Sequence, residues 1–452
     1  METTRAAVEP SIFLSAEQLH IARRRYCAAV MFLLPILAFT FPGRPVQAGL
    51  SSDPLTLIKL ATLASTLFGG IALFLLDRDS KRLIRRLLVL LPFFGFLAWA
   101  ILSVLWSPLR GVTLNQAGGL TALLLFTLHL ACVAEKPDEA SWLLKQLCHS
   151  LLLYSSVVFV AFLINPSFSG LDRSVLWENE DGLIHPTASG STAALGLVVT
   201  TLCWLSGRFS WSARLLFPAM LVHGPTVYYS HSRSSLAMAV VVIFLAAFYF
   251  GGRLTRGGLA ILVVLVAVSM IAVDPGLHQL AGDNAIVGYL FRGQDLQELA
   301  EGSGRAEMWQ TIWDDFQNSG ALLRGHGYFV TSQKGELYVW YHYANHTAHN
   351  LFLQVLVTTG VIGLALWSAA QCRIAVCLLG MIKRDDFRRT YLAIVVLTMV
   401  WFAGWSVGST SFMGPVRSES VVWFSLIGIG IGLATAPTGT SSPKKRRQLW
   451  LL

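Results

Sequence analysis

Stretches of about 20 consecutive apolar residues recur along this chain and constrain its fold more than any other feature. A helix of that length spans the ~30 Å hydrocarbon core of a bilayer. Charged residues are 13% of the chain, about half the share in a soluble domain. The runs are continuous, whereas the strands of an outer-membrane barrel alternate apolar and polar residues. The pattern predicts an all-α polytopic membrane protein with about 12 transmembrane helices, at 27–43, 57–76, 87–105, 119–135, 147–165, 190–206, 213–229, 235–251, 258–273, 351–370, 390–408 and 421–437.

The basic residues between these runs predict the orientation of the chain. With the N-terminus inside, 24 of the 34 lysines and arginines fall on the inner side and 9 on the outer side. This bias indicates cytoplasmic N- and C-termini, with the opposite side facing the periplasm or the cell exterior. The stretch before the first run also resembles a signal peptide, with Pro45-Val46-Gln47-Ala48 as a loose cleavage site, so removal of span 1 stays open. The net charge of +9 is spread over short clusters, which is typical of a topology signal and not of a nucleic-acid groove.

The longest polar connection then lies outside, between spans 9 and 10. The predicted division is a membrane bundle of spans 1–9 (1–273), a periplasmic catalytic loop carrying short helices (274–350), spans 10–12 (351–437) and a basic cytoplasmic tail (438–452). No ATP is available on the periplasmic side, so a transfer reaction there needs an activated donor such as a lipid-linked diphosphate.

Two arginines on the expected outer side are candidates for binding such a diphosphate. Arg233 lies at the mouth between spans 7 and 8, where an arginine either extends to lipid headgroups or binds an anionic ligand. Arg305 lies at the start of a predicted helix that Ser303 can cap, with Trp309 and Trp313 on one face. A helix N-terminus with a guanidinium is a natural phosphate site, although a solvated surface arginine fits this spacing too.

Three histidines end the polar connection. His342, His346 and His349 are spaced as ligands on one helical face, which suggests a zinc site. The glutamate of the H-E-x-x-H motif is missing, so the interpretation preferred is no metal and one histidine acting as a base beside Asn350.

These pieces together resemble the O-antigen ligase and O-antigen polymerase superfamily. The resemblance is carried by four motifs, supported by Trp106-Ser-Pro and by Gly182-Leu-Ile-His185-Pro186, where Thr187 replaces the asparagine of many members. The four are Ser232-Arg233-Ser234, Ser303-Gly304-Arg305 with Trp309, Gly325-His326-Gly327-Tyr328-Phe329, and His349-Asn350 followed by Gly360-x-x-Gly363.

The resemblance implies a metal-independent glycosyltransferase of the GT-C type without a cofactor. Such an enzyme moves a glycan from undecaprenyl diphosphate to an acceptor hydroxyl on lipid A–core or on another lipid-linked glycan. The resemblance implies that Arg233 and Arg305 bind the donor diphosphate and that His349 activates the acceptor. It also implies further substrate contacts by Asn350, His185 and His326. Membrane lipids are the other partners expected, and nucleic acid is not one.

Two alternatives stay open. Within the family, a polymerase of O-antigen or exopolysaccharide shares the donor site with a ligase and differs in its acceptor. Outside it, twelve spans also suit a transporter or flippase. A transporter shows charged or broken helices at mid-membrane and internal repeats, whereas this chain keeps its ionisable residues near the ends of its spans.

Overall fold

The computed structural model describes residues 14–39, 54–77, 80–169, 171, 184–230, 232–252, 305–330, 347–410 and 412–437. Every regular element in these ranges is a helix, so the all-α prediction is confirmed. A four-residue helix, Pro166–Ser169, and 3-10 turns at Leu34–Ala38, Ser103–Leu105 and Gly380–Lys383 accompany the longer helices. Those longer helices are α1 Ala16–Leu33, α2 Pro54–Leu75, α3 Ser80–Leu102, α4 Arg110–Val133, α5 Pro137–Ile164, α6 Pro186–Leu205, α7 Ser212–Tyr229, α8 Arg233–Phe250, α9 Arg305–Asn318, α10 Leu351–Leu379, α11 Asp386–Ser406 and α12 Ser418–Thr435.

Nine helices in the described ranges are long and apolar enough to cross a membrane. They are α2, α3, α4, α5, α6, α8, α10, α11 and α12. The predicted spans 27–43 and 213–229 overlap α1 and α7, which are not among the nine. The predicted span 258–273 and the tail 438–452 lie outside the described residues. The chain is a multi-pass membrane protein.

Helix α1 starts earlier than its apolar run predicts. Ser15 and Gln18 form a capping box, which fixes the start of the helix at Ala16. The helix therefore includes the arginine cluster that was expected to precede the first span. Arg23 Nη2 lies 2.7 Å from Asp77 Oδ2, and Arg24 is paired with Glu139. These carboxylates come from other parts of the chain, so hydropathy along the sequence does not reveal them.

Helices α4, α6 and α12 form the centre of the bundle. In the most apolar 18-residue stretch of each helix, buried residues make up 78% for α4, 83% for α6 and 89% for α12, but only 17% for α2. Glycines allow two of them to approach closely: a Cβ on Gly428 of α12 would come within 2.8 Å of the Thr127 carbonyl of α4. Small residues at such contacts are the usual means of packing helices in a membrane.

The two ends of the bundle differ in charge chemistry. The ion pairs that join described residues all lie where α1, α3, α5 and α11 begin, and we refer to this as the ion-pair end. At the opposite end, α6, α8, α10 and α12 begin while α5, α7 and α11 end. The predicted site residues lie there, and we refer to it as the site end.

Candidate active site

The site end is built around a break in α10. Gly360 has φ 70° and ψ −177°, which interrupts the helical hydrogen bonds. The turn at 321–327 fills the break with its own backbone. The amides of His326 and Gly327 donate to the carbonyls of Val357 and Thr358 at 3.1 and 2.9 Å, and the Val361 amide donates to the Leu322 carbonyl at 2.9 Å. The Trp99 indole satisfies the Thr359 carbonyl at 2.8 Å. The broken helix therefore has its exposed polar groups paired, as membrane-embedded backbone requires.

The glycines of the Gly325–Phe329 motif are required by this insertion. Gly325 has φ 71° and Gly327 has φ 120°, which glycine adopts without the steric cost of a side chain. A Cβ on Gly325 would stand 2.4 Å from the Thr358 carbonyl oxygen. The next amide, that of Tyr328, donates to Ser103 Oγ at 2.9 Å. This stretch thus joins the end of α3 to the break in α10.

Helix α9 lies over this turn and brings Arg305 into the bundle. Its apolar face, Met308, Ile312 and Phe316, packs in a cluster with Val357 of α10. The helix forms as the sequence predicts, although its proposed cap Ser303 lies outside the described residues. Arg305 is the first described residue of α9. Its Nη1 lies only 2.5 Å from the position that a Cβ on Gly408 would occupy, just beyond α11.

The segment before α10 places His349 beside α9. Trp309, one helical turn after Arg305, donates from Nε1 to the Ala348 carbonyl at 2.8 Å. His349 follows with φ 46°, a left-handed backbone that costs a non-glycine residue about 1–2 kcal/mol. Strain of this kind concentrates at functional sites. His349 is not helical, so it does not continue a helical face with His342 and His346, which lie outside the described residues.

Arg233 enters from a third direction, at the first residue of α8. The turn before it packs tightly on α6, since a Cβ on Gly190 would lie 2.5 Å from the Ser232 Cβ. Two residues after Arg233, the Ser235 carbonyl accepts a hydrogen bond from Trp401 Nε1 at 3.2 Å. Trp401 belongs to α11, the helix that ends beside Arg305.

Comparison with protein families identifies the segment that carries most of this geometry. Residues 218–368 match the family model described as O-antigen ligase. This segment of the chain is similar to the O-antigen ligase family. The family resemblance predicted from the motifs is therefore confirmed over 218–368. A search of curated proteins gives no match for the chain.

The segment 218–368 brings two of the predicted residues to the last turns of α11 and the third to α9. Arg305 lies against Gly408, and Ala348, the residue before His349, accepts a hydrogen bond from Trp309 of the Arg305 helix. Arg233 borders α11 through Trp401, seven residues before Gly408 and so about 10 Å along the helix. The two arginines therefore both lie near the end of α11.

Asn350 and His185 occupy structural positions at helix starts. Asn350 caps α10, with its Oδ1 accepting from the Leu353 amide at 3.1 Å. His185 caps α6, with its Nδ1 accepting from the Thr187 amide at 3.3 Å, and its side chain is exposed. Their predicted substrate contacts stay predictions.

His326 lies inside the seam between α9 and α10. Its ring stands edge-on to Phe316 with centroids 6.0 Å apart, and its Nε2 is buried without a hydrogen-bond partner. Burial, and secondarily the positive charge of Arg324, lowers the pKa of the imidazole. His326 is therefore a neutral group held within the supporting structure, and its predicted role in binding substrate stays a prediction.

Glu419 is a buried acidic residue at the site end that the sequence interpretation missed. It lies in the first turn of α12 and is 0% exposed, and it accepts a hydrogen bond from Ser191 Oγ of α6. Its other oxygen is buried without a hydrogen-bond partner. The signal in the sequence was a single carboxylate opening an otherwise uncharged span, because ionisable residues within membrane spans are commonly functional.

No group of three or more His, Cys, Asp or Glu side chains able to hold a metal ion occurs within the described ranges. His349, the one member of the histidine triplet within the described ranges, follows Ala348, whose carbonyl accepts a hydrogen bond from Trp309. The three predicted catalytic residues, Arg233, Arg305 and His349, all lie within the described ranges and offer two guanidinium groups and one imidazole.

Proposed function

We propose that the protein transfers a glycan from undecaprenyl diphosphate to a hydroxyl of lipid A–core. The family match supports an O-antigen ligase or polymerase type of activity. The ligase assignment follows the description of that family. The observation that carries the proposal is that Arg305 and the start of α8 at Arg233 both lie beside the last turns of α11, while Trp309, one turn after Arg305, holds the residue before His349.

The reaction needs a base for the acceptor and charge stabilisation for the leaving group. In the proposed step, the acceptor hydroxyl oxygen forms a bond to the anomeric carbon while the bond from that carbon to the phosphate oxygen breaks. The bonding electrons leave with undecaprenyl diphosphate, and attack from the opposite face inverts the anomeric carbon. The His349 imidazole takes the hydroxyl proton, since a neutral imidazole accepts protons near neutral pH.

Arg233 and Arg305 stabilise the charge that develops on the diphosphate. Each guanidinium offers a rigid pair of N–H donors to phosphate oxygens, and donors fixed in advance stabilise a developing charge most effectively. Because these two cations supply the positive charge, the proposed mechanism requires no metal ion. The site would lie on the periplasmic face of a bacterial inner membrane, where both lipid-linked substrates are accessible.

The proposal is tested in a deletion strain complemented with single variants. Arg233→Ala, Arg305→Ala and His349→Ala are each expected to lower transfer by about 100-fold or more while the protein still inserts in the membrane. Arg324→Ala is the matched control, because this exposed arginine lies in the same segment but in the turn that fills α10. Lipopolysaccharide analysis should show core without O-chain together with accumulated lipid-linked polymer.

The same analysis separates the related activities. Core bearing a single repeat unit would identify a polymerase of O-antigen, and loss of a secreted polymer with intact lipopolysaccharide would identify an exopolysaccharide polymerase. Normal surface polysaccharide in all three variants would overturn the assignment of the site.

A further inference from the structure

The residue before His349 is held on both sides by side chains. The Ala348 carbonyl accepts from Trp309 Nε1 at 2.8 Å, and the Ala348 amide donates to Gln354 Oε1 at 2.9 Å. Ala348 itself is 0% exposed and packs in the apolar cluster under α9. Both backbone polar atoms of one buried residue are thus fixed by residues from two different helices. We refer to Trp309 and Gln354 as the Ala348 clamp.

Each part of the clamp is itself firmly placed. Gln354 is fully buried in the first turn of α10, where its amide donates to the Asn350 carbonyl and its carbonyl accepts from Thr358 Oγ1. Trp309 lies on α9, whose neighbouring residue Met308 is buried in the cluster. The clamp therefore connects α9 to α10 through one peptide segment.

The clamp explains how His349 keeps an unfavourable backbone. A histidine at φ 46° relaxes to the ordinary region unless its surroundings hold it. The residue before it is fixed by the clamp, and the residue after it, Asn350, is fixed as the cap of α10. His349 thus lies between two anchored residues, which hold its backbone in this conformation and so set the direction of its Cα–Cβ bond.

We propose that Trp309 and Gln354 are positioning residues that aim the His349 imidazole at the acceptor hydroxyl. This inference rests on the proposed function and deepens it. Since Trp309 also follows Arg305 by one turn of α9, the clamp sets the distance between the group that binds diphosphate and the group that takes the proton. Small displacements at such a site are costly: about 1 Å lowers the rate by as much as ~100-fold.

The test uses full-length protein purified in detergent, with two measurements. Binding is measured with undecaprenyl diphosphate alone, and turnover with lipid-linked polysaccharide and lipid A–core from the producing strain. Trp309→Phe keeps an aromatic ring but removes the N–H donor, and Gln354→Leu removes the acceptor. Both are expected to lower kcat by roughly 10- to 100-fold while the Kd for undecaprenyl diphosphate stays within about twofold. Trp313→Phe, one turn further along α9 and 37% exposed, is the matched control and should keep both values.

The pattern of effects distinguishes positioning from support of the fold. The clamp variants should resemble His349→Ala, which loses turnover and not binding, and should differ from Arg305→Ala, which loses binding. Weakened binding in both clamp variants would mean that α9 as a whole has moved, and would overturn the inference. Normal turnover in both clamp variants beside an inactive His349→Ala would overturn it while leaving the proposed function intact. Normal turnover in His349→Ala would overturn the role of that histidine and the inference with it.

Discussion

The Arg305 guanidinium at the site end can lie where it does because the residue opposite it, Gly408, has no side chain. Arg305 Nη1 occupies space that a Cβ on Gly408 would fill, at 2.5 Å. Gly408 is not among the residues with positive φ, so its backbone accepts alanine. The neighbour that must move is the far end of a flexible side chain, which can rotate away at small cost to the fold. Gly408 is therefore a residue whose replacement acts on Arg305 alone.

Gly408→Ala should weaken donor binding and leave the fold unchanged. A guanidinium displaced from a phosphate oxygen loses part of a charge-assisted hydrogen bond. The Kd for undecaprenyl diphosphate should therefore rise about tenfold. The thermal midpoint in detergent should stay at the wild-type value. Gly111→Ala, at the start of α4 with open space around it, is the control and should keep the wild-type affinity. Unchanged affinity in Gly408→Ala would show that Arg305 does not reach the donor.

His326 predicts a pH dependence of stability. Its pKa in the folded protein is lowered, first by burial and then by Arg324. As the pH falls below the ordinary value of about 6.5, the unfolded chain takes up a proton that the folded chain refuses, so stability falls. The thermal midpoint of His326→Gln should decline less than that of the wild type on acidification. In Arg324→Ala the thermal midpoint should also decline less than in the wild type, but by a smaller difference than in His326→Gln. If the midpoints of both variants decline as much as that of the wild type, the prediction is contradicted.

At the scale of the helix, the break in α10 shows what a sequence can and cannot predict. Gly360 and the glycines of 325–327 were visible as motifs, and the apolar run at 351–370 predicted a span. The pattern did not show that these two motifs meet, because the pairing is made by backbone amides and carbonyls of residues that are 31 to 39 positions apart. Every residue type except proline carries both groups, so no side-chain pattern marks the partner. The helical nature of α9 and the position of Arg233 at the start of α8 were predictable because the local pattern of apolar and polar residues marks them.

Gly360→Ala should disrupt this element specifically. The residue has φ 70°, and a Cβ there would lie 2.2 Å from the Leu323 carbonyl oxygen, which is backbone and cannot rotate away. The left-handed backbone alone costs about 1–2 kcal/mol, and the clash adds to it. We expect a lower thermal midpoint and faster proteolysis within 305–330. Gly380→Ala, at the end of the same helix with open space around it, should behave as the wild type; equal midpoints in the two variants would show that the turn tolerates displacement.

At the scale of the whole molecule, the two ends of the bundle divide structure from chemistry. The carboxylates of the ion-pair end neutralise arginines that the topology prediction counted as inner residues, for example Arg86 with Glu135. The site end instead holds Arg233, Arg305 and His349, and the first two lie near the end of α11. The count of basic residues along the sequence predicted that most of them lie at one end of the bundle. The carboxylate that pairs with each arginine became visible only in the packed helices. The side of the membrane on which each end of the bundle lies can be measured directly with single cysteines.

Single cysteines at the two ends should differ in their access to a membrane-impermeant maleimide. Ser319, beyond α9, and Lys383, before α11, are both exposed and belong to opposite ends of the bundle. Each is changed to cysteine in a background where the six native cysteines are replaced by serine or alanine. In intact spheroplasts Ser319→Cys should be labelled, because the site end faces the periplasm in the proposed function. Lys383→Cys should be labelled only after the membrane is permeabilised. The reverse pattern would place the site on the cytoplasmic side. It would overturn the proposed transfer on the periplasmic side and leave the fold as described.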